Sequence, residues 1–444
     1  MAVSWDRLSG PKIARLQGTA LAEQVSGRLA RYQPYWRETV RGTGLRAAEI
    51  KGLGDLAKIP PAGERDLCPD GDPAGAARLV LQPDESCFAL HADDRQFRRA
   101  LRQRLTSAAA YRRTVDEATR PVTFHQAGLA IRFPVASTRT DLDLVARAGA
   151  RMWQVLGLSA ADVLVSALPS GGNDLAAFAL PYAAIGAGAP ALHAGPRGAA
   201  EALDTVPATV VAVRSAAALE ALLGAYGDRL PSAVTTVLVT GDDDGVADLV
   251  GDARVLRLWG PGEGRWLWAE CAPGSGFHSY PDLEILESLD PASGQPADAG
   301  ELTVTQLGIR GSALVRWRTA AVGSIVTGAC PHCGRTVPRV ASDTVPAALV
   351  TAAEVGGETV SLDLRSLAGA LAGRADLDGW TVTRQAQSSG GSPRVLVRVA
   401  LTDGARVRDT ALGVYADIES VAGDGPTQVV VDPSVGGRAD LLLH

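Results

Sequence analysis

From about residue 150 the chain alternates short apolar runs with Ala/Leu-rich stretches, and that alternation leaves few folds open. "DVLVSALP", "APALHAG", "ATVVAVR", "TTVLVTG" and "ARVLRLWG" are the apolar runs. Strand, helix, strand at this spacing predicts a parallel sheet covered by helices. Before it, "ALAEQVSGRLARYQPYWRETV" carries apolar residues at helical spacing, and a second helical stretch, "DRQFRRALRQRLTSAAAYRRTVDEA", lies near 94–118. After Gly264 the helical stretches stop, and "LEILESLD", "GELTVTQL", "SALVRWRT" and "AVGSIVTG" predict a small antiparallel β unit. Near residue 340 the style changes again. "ETVSLDLRSLAGALAG", "GWTVTRQAQ", "PRVLVRVALTDG", a helix near 408–422 and "TQVVVDP" spell β-α-β-β-α-β. The expectation is an α/β chain in two parts: a large N-terminal domain over 1–338 and a small α+β domain over 345–444, joined by a hinge near 339–345.

At 444 residues the chain is long enough for more than one folded unit. Net charge is −6 and no dense basic block occurs, which argues against a nucleic-acid partner. No apolar run approaches the roughly 20 residues of a membrane span. The N-terminus lacks the charged-then-apolar pattern of a signal peptide, so the expected location is cytoplasmic, where disulfides are rare. Lysine occurs only at Lys12, Lys51 and Lys58. No lysine follows, and that bears on catalysis.

In such a compartment "ACPHCGRTVPRV" reads as half of a metal site or as a catalytic pair rather than a disulfide. Zinc needs about four ligands, often three Cys and one His. Cys330 and Cys333 supply two, and Cys271 and His278 of "ECAPGSGFH" are the nearest further candidates, with His332 as a spare. The alternative is that Cys271 is an ordinary buried cysteine and His278 a surface residue.

Two long stretches carry a family resemblance. "AECAPGSGFHSYPDLEILESLDPASGQPADAGELTVTQLGIRGSALVRWRTAAVG" with "CPHCGRTVPRV", and "YQPYWRETVRGTGLRAAEIKGLGDLAKIPPAGERDL" near the start, resemble the phenylacetate-CoA ligase group of adenylate-forming enzymes. The resemblance covers most of residues 20–340 in order. It implies a large AMP-binding-type domain, a zinc held by Cys271, His278, Cys330 and Cys333, and chemistry that joins a carboxylate to ATP before passing the acyl group to coenzyme A.

The residues of that chemistry depart from the family pattern. A Ser/Thr/Gly loop should hold the phosphates, but "HQAGLAIR" keeps one glycine, Gly128, and no hydroxyl. The family's Tyr-Gly-x-Thr/Ser-Glu segment stands here as "WGPGE". Trp259 and Gly260, with Gly241 of "GDDDG", are the candidate cofactor-binding positions, and Glu263 keeps the magnesium-ligand place. Where a ribose-binding Gly-Asp should follow "RWRT" the chain has Ala320 and Ala321. Asp343 is the one candidate remnant of the domain hinge. The C-terminal catalytic lysine has no counterpart, and an arginine such as Arg438 is a bulkier, fork-shaped substitute. Losing one transition-state donor costs about 3 kcal/mol, so these losses predict weak or absent adenylation and make ATP, magnesium and coenzyme A doubtful cofactors.

Other residues leave alternatives open. Ser170, Gly171 and Gly172 of "PSGGND" line the acyl pocket if the resemblance holds, or form a turn capping the next helix. "GDDDG" lacks the ligand spacing of a calcium loop and reads as a solvated turn. His125 and His193 lack a partner pattern nearby in sequence. Trp266 and Trp268 point to one face, to line a cavity or pack a core. Two functions remain: a non-catalytic relative that binds a small carboxylic acid or acyl group and a protein partner in a biosynthetic pathway, or a divergent ligase or acyltransferase with a remodelled site.

Overall fold

A computed structural model describes residues 5–443 apart from 70–71, 80–84, 93, 129–131, 170–174, 242–244, 291–292, 347–349, 356–357, 364–370, 372–373, 386–393, 403, 423–426 and 434–438. Packing divides the chain into two compact units. The first is Met1–Thr319 with Gly323–Asp343; the second is Ala320–Val322 with Thr344–His444.

The alternating runs become a parallel sheet in the first unit. Leu164–Ser166 (β3), Ala191–His193 (β4), Val210–Val213 (β5), Thr236–Val239 (β6) and Arg254–Trp259 (β7) lie in the order β4-β3-β5-β6-β7, neighbours parallel. Every residue of β5 and β6 is buried, as both faces of such a sheet demand. Helices Leu175–Ala187, Gly195–Thr205 and Ala216–Tyr226 alternate with these strands. The helix Arg139–Val155 packs on Leu175–Ala187 at glycine: a Cβ on Gly149 would sit 2.2 Å from the Ala183 Cα. Two earlier strands, Thr123–Ala127 (β1) and Phe133–Ser137 (β2), form a separate antiparallel hairpin.

At β7 the sheet turns antiparallel. It continues through Trp268–Ala269 (β8), Phe277–His278 (β9), Arg339–Val340 (β13), Trp317–Val326 (β12), Ala299–Gln306 (β11) and Glu284–Leu289 (β10). The N-terminal helices are fastened to this region by polar side chains. Gln17 and Gln24 donate to the carbonyls of Glu284 and Gln306 at 2.8 and 2.6 Å, and Trp36 donates to that of Ala313 at 2.8 Å. Each such bond contributes about 1 kcal/mol and fixes the helix against sliding.

Val345–Pro346 (β14) pairs with β12 at Ala321 and Val322. The second unit then has a hairpin, Val350–Val355 (β15) with Glu358–Asp363 (β16). A four-stranded sheet follows: Leu377–Gln385 (β17), Arg394–Leu401 (β18), Thr427–Val431 (β19) and Ala439–Leu443 (β20), in the order β19-β18-β17-β20. Its helix is Val407–Ala422.

The structure departs from the sequence reading in several places. The single helical stretch over 94–118 is two helices, Asp94–Thr106 and Ala108–Thr119, because Ser107 takes an extended backbone and its hydroxyl accepts the Ala110 N–H as a cap. "SALVRWRT" and "AVGSIVTG" are not separate strands; one strand, β12, begins only at Trp317. The strands β14, β15 and β20 carried no expectation. Of the span 339–345 expected as a hinge, Arg339 and Val340 are strand β13, and Val345 begins β14. The expected helix in "LRSLAGALAG" lies outside the described residues, Leu371 excepted.

Candidate functional site

Two hairpin connections bring three thiols and one imidazole together. Cys271 sits between the antiparallel strands β8 and β9, and His278 is on β9. Cys330 and Cys333 sit between β12 and β13, whose end pairs with β9 at His278. The Cys271 and Cys330 sulfurs are 3.7 Å apart, and Cys333 Sγ is 3.6 Å from His278 Nε2. All four donor atoms lie within 4.8 Å of one another. Metal–sulfur bonds of about 2.3 Å and a metal–nitrogen bond of about 2.0–2.1 Å at tetrahedral angles give S···S roughly 3.8 Å and S···N roughly 3.6 Å. The Cys271–Cys330 and Cys333–His278 separations match these values, and the cluster can hold a metal ion. His332, the spare candidate, is exposed and outside the cluster.

The surroundings suit the role. Burial, followed by the charges of Arg335 and Arg339, pushes the His278 imidazole down to about 3, so the ring is neutral and its nitrogen lone pair is free. Burial raises the Cys271 thiol. At Cys330 burial also pushes up, but the backbone N–H groups of Cys333 and His332 outweigh it and hold the thiol below its ordinary value. Gly334 takes φ +70, closing the "CPHCG" turn where a side chain would be strained. Ser275 Oγ accepts the Cys271 N–H at 3.1 Å and the Cys271 thiol at 3.4 Å.

Glu263 lies in the turn after β7, only 3% exposed. Burial raises its carboxyl most, its own backbone N–H pulls it back, and the charge and hydrogen bond of Glu64 push it up again, to about 8. Glu64 opens the short helix Glu64–Leu67 in the N-terminal part. The turn is tightly built. A Cβ on Gly260 would come within 2.9 Å of the Trp266 carbonyl oxygen. Trp259 packs against Trp268 and Phe277, ring centroids 5.2 and 6.1 Å away. Gly241 is apart from these, two residues after β6, where a Cβ would come within 2.6 Å of the Arg214 carbonyl oxygen.

Ala320 has φ +52, the left-handed region that glycine favours, and Ala321 after it is buried. His125 is buried on β1, stacked on Phe178 at 4.5 Å, and burial with the Arg265 charge pushes its ring down to about 3. His193 Nδ1 lies 3.2 Å from Ser166 Oγ across β3 and β4, a contact with no signal in the sequence. Ser170, Gly171, Gly172, Asp242–Asp244 and Arg438 lie outside the described residues.

Trp266 and Trp268 do face one way: both indoles donate to the buried Glu284 carboxylate, at 2.7 and 2.6 Å. The sequence reading missed Glu284, Glu64 and a second buried network. In that network Arg265 donates to Ser137 and Gln306 side chains and to the Ala136 and Ser312 carbonyls. Asp141 accepts the N–H groups of Thr138, Arg310 and Gly311 at 2.7, 2.7 and 2.8 Å. "TRTD" at 138–141 is a capping-box spacing and was the available signal for Asp141.

No protein-family model matches this chain, and no curated protein matches it. Solved structures do. An open conformation of 2-hydroxyisobutyryl-CoA ligase, in complex with 2-HIB-AMP and CoA, is similar with a TM-score of 0.69 and 16% identity, over 98% of this chain and 93% of that one. The same ligase in its postadenylation state with 2-HIB-AMP gives 0.68 and 15%, over 97% and 90%. At such identity the likeness is one of fold. The chain has the α/β fold of this CoA ligase, with a smaller C-terminal part. Because these neighbours hold acyl-AMP and CoA, the likeness lends no support to the expected loss of nucleotide and coenzyme A.

Proposed function

We propose that this chain is a phenylacetate-CoA ligase-like protein whose ATP-dependent adenylation is lost or strongly reduced, and that it acts as a non-catalytic or binding relative of the ligases. Its ligand is a small carboxylic acid or the corresponding acyl group, met in a cytoplasmic biosynthetic pathway that includes a protein partner. The observation that carries this reading is Ala321, which stands where the resemblance places the ribose-binding aspartate. A magnesium ion needs charged or strongly polar oxygens within reach of a phosphate. Glu263 keeps the magnesium-ligand place, but it is buried and turned to Glu64.

Ala320 supports the same reading. Its backbone keeps the left-handed turn where the family pattern has glycine, so the Gly-Asp register is held while the aspartate is Ala321. A methyl group accepts no hydrogen bond from a ribose hydroxyl. These substitutions favour weak or absent binding of magnesium-ATP, and no adenylation step is assigned to the residues described. The test is ATP–pyrophosphate exchange with a panel of aryl and short acyl acids, alongside melting with millimolar ATP and magnesium. Neither exchange nor a rise in Tm is expected; a rise of several degrees would mean that nucleotide binds the folded chain and would overturn the reading. The second reading, a divergent acyl- or aryl-CoA ligase, is favoured by the likeness to an acyl-CoA ligase along nearly the whole chain, and exchange activity would establish it.

We also propose that the ion of the Cys271, His278, Cys330 and Cys333 cluster is zinc, in a closed structural site. Three sulfurs and a neutral imidazole leave a tetrahedral ion no open position for water, so it clamps two hairpin connections rather than catalysing. The domain limits proposed are 1–338 and 345–444.

A further inference from the structure

The helix Asp94–Thr106 is built inside out. Its buried residue is Ala100, packed with Tyr32, Phe88 and Val115, and polar contacts flank it: Gln96 accepts the Tyr32 hydroxyl at 3.0 Å, and Gln103 accepts that of Thr114 at 2.6 Å. The large apolar side chains face away from the unit. Phe97, Leu101 and Leu105 are 42, 50 and 83% exposed. Spaced four apart, they form one row along the helix, the ridge that packs into the groove of another helix. Arginines run beside it. Arg98 and Arg102 follow Phe97 and Leu101 by one residue, and Arg95 and Arg99 form the next row, all exposed. Arg95, Arg99 and Arg102 have no carboxylate at ion-pair distance among the described residues, and Arg98 reaches only Asp94, at 3.7 Å.

We infer that this ridge is the docking surface for an acidic helical protein. Helix stability does not need the outward row, since Ala100 and the two glutamines make the inward contacts. A second copy of the chain would bring like charges face to face, whereas carboxylates on a partner helix meet the unpaired guanidiniums as charge-assisted, two-pronged hydrogen bonds. A single row three residues long suits a helix groove. A helix lying in a lipid surface needs a broad apolar face, at least about 100° wide. The surface gives the protein partner of the proposed function a place on the fold. It does not depend on nucleotide, so the two readings can fail separately.

The test uses the full chain and a fluorescein-labelled synthetic helix with leucines four apart flanked by glutamates, beside a permuted peptide of identical composition. Fluorescence anisotropy should show the ordered peptide binding roughly tenfold more tightly than the permuted one, with Leu101→Gln or Leu105→Gln removing that advantage. Raising NaCl from about 50 to about 300 mM should weaken binding several-fold. Circular dichroism should be unchanged, because the substituted side chains are exposed. Equal binding of both peptides, or none, overturns the inference. So does sedimentation that detects a dimer abolished by Leu101→Gln, which makes a second copy the occupant. Tighter, leucine-dependent pelleting with phosphatidylglycerol vesicles than binding to the peptide makes it a lipid surface instead.

Discussion

Ala320 holds a backbone conformation that its side chain would not choose, Glu263 sits where its charged form is disfavoured, and each makes a measurable demand on stability. Left-handed backbone costs a residue with a Cβ about 1–2 kcal/mol. Ala320→Gly relieves that strain and loses about 0.4–1 kcal/mol to the greater freedom of the unfolded chain. A net gain of about 0.5–1 kcal/mol in urea denaturation is expected, and a loss would show that the Ala320 methyl contributes more packing than its φ costs. Glu263 acts through pH. Its folded carboxyl sits near 8, above the ordinary value of 4.5. A raised acid binds its proton more tightly in the folded state, so its contribution is fully present below about 4.5 and is lost as pH rises toward 8. The chain should therefore lose stability across that window, by up to roughly 5 kcal/mol. Glu263→Gln imitates the protonated form and should flatten most of this slope. Glu284, raised to about 7 by burial against its N–H donors, titrates in the same range and leaves a smaller slope behind. An unchanged slope in the variant would mean that Glu263 ionises normally.

At the scale of elements, the cysteine cluster ties two connections whose strands are short. β8, β9 and β13 are two residues each, too few for independent stability. Binding a metal then supplies the free energy that strand length does not. Cys330→Ala should lower the stability of the unit holding the cluster by more than about 3 kcal/mol and release about one equivalent of zinc per chain by elemental analysis; a variant that keeps its zinc would show that Cys330 is not a ligand. The four residues were legible in the sequence because cysteines are few and each pair is local, Cys271 with His278 and Cys330 with Cys333. The parallel sheet was legible because a strand buried on both faces reads as an unbroken apolar run, as "TTVLVTG" does. Glu64 and Glu263 were not, since their meeting depends on how the N-terminal segment docks, which no local period encodes. Ser107 escaped notice for the opposite reason. The flanking helical pattern is strong on both sides, and only the hydroxyl's alternative bonding marks the break. The ridge of Phe97, Leu101 and Leu105 drew no expectation, and only the packing of Ala100 reveals that it faces out.

Over the whole molecule, the cluster's place allows a chelator to probe how folding is partitioned. The first unit closes its own core around the mixed sheet, with Trp36, Trp153, Trp268 and Trp317 among its largest buried side chains. The second closes around β17 and β18, where Val397 and Val399 are fully buried. Chains of this length with two cores commonly unfold in more than one cooperative step. Cys271, His278, Cys330 and Cys333 all belong to the first unit. A ligand that binds only the folded form stabilises only the unit that contains its site. Scanning calorimetry should therefore resolve two transitions, and a chelator that strips zinc should lower one by many degrees while leaving the other in place. The Cys330→Ala protein should reproduce the chelated trace without added chelator. A single transition that shifts as a whole would mean that the two units fold as one cooperative body, and the proposed division into domains at 338 and 345 would fall with it.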